Sequence, residues 1–562
     1  MQDNTSLYKR LKAVVLTVAV LVAATATTSC IKEEHYLTDS SARLQFSEDT
    51  VAFDTVFTTM ATATQFVKVY NTYDEALMLS SVTLRGGQAS RFRINVDGDT
   101  SAVARDVEIG AHDSIFIFVQ ANINPNDQTA PFLVEDAIVF TFNNRQQELP
   151  LTAYGRNAVY HHPDRRTYYT YTNSRGLEDT VWFPYSIIDC DHWDHTRPHV
   201  IFGYAVVNSN ETLHLTAGDE LYFGRDAYLW VYDSATLDVH GSQGQPVRFT
   251  SIRHDGYYDS LPGQWGYIWL SAGSRDSRIE HALIENGTIG LLVDTNVNER
   301  PTVELLNCVV QNMSTAGIVG QGSRIKGDNL LVCNSGGPLL AIQYGGWCAF
   351  TSSTFANYWR YDSRKTPSVV LTNYYAYDEA TIYPRDLTLA SFINCIVYGN
   401  YGGQNNSGEL LLDGIEGATF NLAFFCCLMR TTLLDSNAHP EMRLILNSDP
   451  LFVNPRYGDC HLQEGSPAIG AAEAALVRHP YDLDGHPWAY PPSIGAFEYV
   501  PEAEGKKNRN YNNIKNETPC STTSAAVSTR PHPLTRSSTA TAWGTSSKSP
   551  STPIRRLKIG RR

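Results

Sequence analysis

The sequence predicts an all-β protein, a β-sandwich followed by a right-handed parallel β-helix, on three observations. Tyrosine and asparagine are plentiful, only 18% of residues are charged, and helix-forming runs of Ala, Leu, Glu and Lys are scarce. Residues 42–155 alternate apolar and polar positions in short runs broken by turn residues. Further along, a strand-and-asparagine unit recurs: IEN at Asn286, VQN at Asn312, VCN at Asn334, FAN at Asn357 and YGN at Asn400.

A chain of 562 residues with 42% hydrophobic content buries more than one core. The formal charge is −14, and residues 501–562 hold 12 Lys and Arg against 3 Glu, so the rest of the chain is more acidic still. An acidic body repels nucleic acid, which removes that class of partner.

At the N-terminus Lys9, Arg10 and Lys12 precede an apolar run from Ala13 to Ala26, then small residues and Cys30. The run is shorter than the roughly 20 residues a spanning helix needs. An export signal that ends on cysteine predicts a bacterial lipoprotein, with signal peptide 1–29, lipidation at Cys30 and a polar tether over 30–41. Acyl chains contribute about 0.8 kcal/mol per buried methylene and hold such a protein on a membrane. Thr27 stands where these signals usually carry leucine, and Ser29 fits before the cysteine. Ordinary signal cleavage beside an incidental cysteine is the alternative.

Residues 42–155 read as a sandwich of about seven strands, in runs such as "RLQFSEDTVAFDTVFTT", "QFVKVYN" and "DAIVFTFNN". "FDTVFTT" at Phe53 to Thr59, "FRINVDG" at Phe92 to Gly98 and "LTAYG" at Leu151 to Gly155 carry a family resemblance. The segment resembles the Ig-like N-terminal domain, related to the abnormal-spindle and hydin type, of many Bacteroidota surface lipoproteins. The resemblance implies an outer-membrane, lipid-anchored and surface-exposed protein.

A linker over 156–198, rich in Tyr, His and Asp, leads into the β-helix of residues 199–500. Gaps between successive repeat asparagines are 26, 22, 23 and 43, the last wide enough for an inserted loop or a second coil. Two residues earlier stand Ile284, Val310, Val332, Phe355 and Tyr398; seven earlier stand Ile279, Leu305, Gly327, Phe350 and Ile393. A period near 22 with only strand and turn text fits a coil of three short strands and three bends. Asparagine tolerates the left-handed bend conformation, and its amide can bond to the amide one coil away. Asn286, Asn312, Asn334, Asn357 and Asn400 are therefore expected to form a ladder along one edge.

"SDPLFVNPRYGDCHLQEGSPAIGAA" at Ser448 to Ala472 and "YDLDGHPWAYPPSIGAFEYV" at Tyr481 to Val500 follow. They resemble the segment that closes β-helices of the choice-of-anchor Q type, most members of which have no assigned activity. This segment is expected to cover one open end of the coil. Residues 501–562 are basic and rich in Ser and Thr, a composition that predicts a disordered tail.

Candidates for chemistry are few. "DCDHWDHTRPH" gathers Asp189, Asp191, His192, Asp194, His195 and His199, types that hold zinc or manganese, at a spacing that matches no metal template. "DLDG" at Asp482 to Gly485 lacks the further ligands of a calcium loop and reads as a turn. Cysteines inside apolar runs such as "LLNCVV" and "FINCIV" read as core thiols. Many enzymes on parallel β-helices are polysaccharide lyases, and Arg324, Lys326, Asp328 and Asp294 are the nearest to such a set. No catalytic set, metal site or cofactor is predicted.

The stretch between Asn357 and Asn400 supplies a ligand-binding prediction: Tyr358, Trp359, Arg360, Tyr361, Tyr374, Tyr375 and Arg385, with Arg364, Lys365, Tyr377 and Tyr383 nearby. Aromatic faces stack on sugar rings and arginine pairs with acidic groups. Equally, such rings can pack the insert onto the coil. Three readings follow: a non-catalytic surface lipoprotein binding glycan or another surface protein, a polysaccharide lyase, and a structural stalk or adhesin component.

Overall fold

The structure, a computed structural model, describes residues 35–60, 62, 64–125, 131–172, 176–253, 258, 260–295, 300–376, 381–401 and 407–501. The leader, Cys30, Tyr377 and the tail beyond 501 lie outside the described residues. Described residues up to Arg156 form one compact unit, and those from Asn157 onward a second.

The first unit is a β-sandwich of a four-stranded and a five-stranded sheet. "RLQFSEDTVAFDTVFTT", read as one run, splits here: Gln45–Phe46 joins the smaller sheet and Val51–Phe57 the larger. Strict alternation explains the layering. Along Ser114–Ala121, Ile115, Ile117, Val119 and Ala121 are buried while Phe116 and Phe118 are exposed. Phe92, Phe140, Phe142, Leu77 and Leu79 fill the space between the sheets.

The second unit is a parallel β-helix with three faces, sheets of eleven, ten and eight strands, here the first, second and third faces. One coil places Ala282–Glu285, Ile289–Val293 and Val303–Leu306 on them in turn. Val309–Met313 then lies parallel to Ala282–Glu285 and begins the next coil. Inside, Ile284, Val310, Val332 and Phe355 stack in register, as do Ile279, Leu305, Gly327 and Phe350. Glycine interrupts the second row for a reason: a Cβ on Gly327 would stand 2.6 Å from both Leu330 and the Phe350 ring. Farther on, Phe350, Phe392 and Phe424 stack at 5.5 and 5.4 Å between centroids. Each such ring contributes about 1.5–3 kcal/mol by leaving water.

The edge between the first and second faces carries the predicted asparagines in part. Asn286, Asn312 and Asn334 have φ of 66°, 61° and 54°. Asn312 Nδ2 donates to Asn286 Oδ1 at 2.6 Å, and also to the Ser260 carbonyl. Asn334 instead donates to the Pro455 carbonyl at 3.1 Å. Asn357 ends its strand and donates to the Ser335 and Gly337 carbonyls, each at 3.0 Å. Asn400 does not belong to the row: Asn357 pairs with Gly399. The fifth unit is thus one residue out of step, and Val397 and Phe392, not Tyr398 and Ile393, continue the core rows. Glycine holds that corner because a Cβ on Gly399 would meet the Asn357 carbonyl at 2.4 Å and Glu409 at 2.5 Å.

A second ladder runs along the edge between the third and first faces. His281, Asn307, Asn329, Ser352, Asn394 and Cys426 all have φ between 45° and 56° there. Asn329 donates to Asn307 Oδ1 at 3.1 Å, and Asn307 contacts His281 Nε2 at 3.1 Å.

Residues 157–172 and 176–198, expected as a linker, belong to the second unit. Val159–His161 pairs in parallel with His199–Ile201, and Glu178–Ile187 with Tyr204–Val207. At the other end, Leu434, Met442, Leu444 and Leu446 pack against the central core. The choice-of-anchor-like segment does something else. Phe452, Cys460, Ala468, Ile494, Ala496 and Phe497 cluster with Leu331, Cys333, Ala356, Ile396 and Leu428, which face outward from the first face. It sheathes that face and does not plug the coil, because these five residues alternate with the core positions and would otherwise be bare apolar surface. Among the described residues eight cysteines are free thiols, seven of them buried.

Candidate functional site

The outer surface of the third face carries a row of opposite charges, built from the register of successive coils. Asp238 pairs with Arg278, Arg278 with Glu304 and Glu304 with Lys326. Lys326 Nζ lies 3.0 Å from Glu304. The row then turns small, at Ala349, Ser391 and Ala423. Beside it, a row of larger side chains runs from Arg324 to Trp347 and Leu389.

These larger residues line an open groove of about 920 Å³, together with Thr388, Phe420, Asn421 and Leu422. Two register shifts shape it, at Gly346/Trp347 and at Leu387/Ala390, where an extra residue re-aims the side chains that follow. Hydrogen bonds hold its polar residues. Asn421 Nδ2 donates to the Thr388 carbonyl at 3.1 Å, and Thr388 Oγ1 donates to the Gly346 carbonyl at 3.0 Å. The Arg324 guanidinium lies 5.2 Å from the centroid of the half-buried Trp347 ring, a cation–π pair. Phe420 and Leu422 reach the groove from the core side.

Arg324 was legible as a candidate; the rest of the groove was not. Lys326 is tied to Glu304, and the buried Asp328 faces Arg478 at 3.5 Å. Asp294 accepts from Trp269 Nε1 at 2.8 Å, and burial raises its pKa above the usual carboxylate value. Lys326, Asp328 and Asp294 are each engaged elsewhere, and of the four residues that suggested a lyase only Arg324 lines the groove. A signal for Trp347 did exist: Arg324 and Trp347 each stand ten residues before a repeat asparagine, Asn334 and Asn357.

The wide gap before Asn400 is one coil with two excursions, and it divides the predicted ligand residues. Residues 358–368 loop out between the first and second faces. Tyr358 packs edge-on against Phe452 at 6.3 Å. Trp359 is only 7% exposed, with Nε1 donating to Asp362 at 2.5 Å. Tyr361 is exposed and donates to the Ser260 carbonyl at 2.5 Å, while Arg360 sits over the Tyr361 and Tyr457 rings at 5.0 and 4.4 Å. Arg364 is buried in a two-pronged pair with Glu409, at 2.5 and 3.0 Å. The second excursion is the hairpin of Tyr374–Ala376 and Ile382–Pro384, between the second and third faces. Tyr374 donates to Asp413 at 2.5 Å; burial and that carboxylate push its pKa up to about 12. Tyr375 meets Tyr344 edge-on at 4.9 Å, and Arg385 is exposed. Tyr358 and Trp359 are packing residues, whereas Arg360, Tyr361, Tyr375 and Arg385 retain surface.

The histidine-rich stretch disperses its side chains. His192 contacts Asp189 at 3.1 Å, His195 contacts Asp219 at 2.8 Å, and Arg197 pairs with Asp194 at 2.6 Å. His199 contacts His161 at 2.8 Å and stacks on Trp193 at 3.5 Å. Among the described residues no three His, Cys, Asp or Glu side chains group as metal ligands would. Asp482 of "DLDG" accepts from the Asp484 and His486 amides at 3.0 and 2.7 Å, as a turn requires.

No protein-family model matches the chain, and no curated protein matches it. Among solved structures, a family 123 glycoside hydrolase from Clostridium perfringens overlaps 22% of this chain and 31% of its own, at 7% identity and a TM-score of 0.15. The VesB protease of Vibrio cholerae overlaps 21% of this chain and 33% of its own, at 10% identity and a TM-score of 0.15. The seventh PapD-like domain of human CEP192 overlaps 23% of this chain and 94% of its own, at 10% identity and a TM-score of 0.15.

Proposed function

We propose that the chain is a lipid-anchored protein of the outer-membrane surface that binds polysaccharide through the third face of its β-helix, without cleaving it. The groove is the observation that carries this reading. Trp347 offers an aromatic plane, Leu389 and Leu422 aliphatic walls, and Thr388 and Asn421 hydroxyl and amide groups. A pyranose ring presents apolar faces and a rim of hydroxyls, which such a mixture matches. Lipid anchoring is supported by the basic and apolar leader that ends at Cys30, and surface location by the Bacteroidota resemblance.

A lyase on the same scaffold draws on one residue in the groove, Arg324. The two readings separate in one experiment. The full-length chain is applied to a panel of immobilised polysaccharides, and the supernatant is followed for the ultraviolet absorbance of an unsaturated sugar product. Retention without new absorbance supports binding; rising absorbance supports the lyase; no retention on any polymer removes both. Anchoring is tested by labelling cells with a palmitate analogue. Label on the native chain that disappears in Cys30→Ala is expected, and label that persists rejects Cys30 as the site.

A further inference from the structure

We infer that the groove selects saccharides bearing an anionic group, a carboxylate or a sulfate, and that Arg324 reads it. The inference rests on the glycan reading of the same groove. The outward charges named along the third face already have partners. His214 contacts Asp238 at 2.9 Å, Arg278 donates to Glu280 at 2.8 Å, and Lys326 donates to Glu304 at 3.0 Å. No carboxylate is among the residues that line the groove. Arg324 Nε is buried and has no hydrogen-bond partner among the described residues. The Arg324 guanidinium lines the groove, where its N–H groups can donate to an anion.

Placement adds specificity. Stacking on Trp347 holds the guanidinium beside the ring on which a sugar would lie, so charge recognition and ring stacking can act on adjacent parts of one residue. The lining otherwise consists of neutral side chains, which leaves Arg324 as the charge that distinguishes one saccharide from another. On a chain of net charge −14, long-range attraction does not explain retention of an anion, and a local contact is needed.

The test measures binding of the full-length chain to two polymer pairs, polygalacturonate against its methyl ester and dextran sulfate against dextran. In at least one pair the anionic member is expected to bind about tenfold more tightly, the ratio that one charge-assisted hydrogen bond supplies. The pair that shows the preference identifies carboxylate or sulfate. Arg324→Gln should bring the anionic member down to its neutral counterpart, Arg324→Lys should keep part of the preference, and Trp347→Ala should weaken both members. Equal binding within both pairs overturns the inference and leaves glycan binding standing, as does a preference that survives Arg324→Gln. Binding to none of the four polymers rejects the glycan reading together with the inference. The polymer comparison uses the unaltered chain, so it decides the anion preference even if Arg324→Gln fails to fold, and Arg324→Lys then tests the assignment to Arg324.

Discussion

Asn312 hands its side-chain amide to Asn286 Oδ1 one coil earlier, 2.6 Å away, while its own backbone sits at a φ of 61°. The residue thus meets two demands at once, a left-handed corner and a bond between coils. Alanine meets neither. It costs about 1–2 kcal/mol for the left-handed backbone and about 0.5–1.5 kcal/mol for each lost hydrogen bond. With its two side-chain hydrogen bonds lost, Asn312→Ala should lower unfolding stability by about 2–5 kcal/mol. Asn312→Gly, which restores only the backbone freedom, should lose less. Urea unfolding monitored by circular dichroism compares the two: equal losses would show that the left-handed corner contributes nothing, and native stability in Asn312→Gly would show the same of the amide.

Stability should fall at both ends of the pH range for two different reasons. Burial and the neighbouring His199 hold the His161 pKa down at about 4, against 6.5 ordinarily. The unfolded chain binds that proton first, so this contribution is complete above 6.5 and declines as pH drops towards 4. At His461 burial favours the neutral ring, but hydrogen bonds to Asp459 and Asp484 outweigh it and raise the pKa to about 9. That contribution is complete below 6.5 and is lost as pH rises through 9. Each limb reaches roughly 3 kcal/mol. Melting temperatures across pH should show both limbs, with His461→Gln flattening the alkaline one and His161→Phe the acid one. An unchanged alkaline limb in His461→Gln would assign it to another group.

Glu409 is fully buried and accepts from Arg364, from the Ser368 amide and hydroxyl, and from the Tyr401 amide. These bonds tie the loop of residues 358–368 to the coil. Glu409→Gln leaves a buried guanidinium without its counter-charge, which should cost about 3–5 kcal/mol. Faster proteolytic cutting within the loop is the expected sign, and wild-type resistance would mean that other contacts hold it.

Trp359 is the largest residue of the first excursion and nearly enclosed, with its ring 4.9 Å from that of Tyr361. Trp359→Ala should destabilise by about 3–5 kcal/mol yet leave glycan affinity unchanged at temperatures where the variant is folded. Lost affinity with intact folding would move the site from the groove to this loop.

What the sequence disclosed follows from repetition. Inward rows repeat one chemical type each coil, so Ile284, Val310, Val332 and Phe355 announce a stack. Asn400 misled because it follows Gly399, the true corner, and in a strand of period two a slip of one residue exchanges inside for outside. The second ladder was present in the text as Asn307-Cys308 and Asn394-Cys395, but at Ser352 and Cys426 the corner changes residue type. The groove had no such repetition. Its row is Arg324, Trp347 and Leu389, one from each of three coils and all chemically different, so only the register joins them.

The affinity of Trp347→Ala for whichever polysaccharide the native chain retains bears most directly on the groove. Trp347 faces outward, half exposed, so the fold should survive the change. Calorimetric titration should show affinity at least about tenfold weaker, since stacking and its apolar area are worth ~1.5 kcal/mol or more. Affinity equal to that of the native chain, with the β-rich circular dichroism intact, would contradict placement of the binding site on the third face.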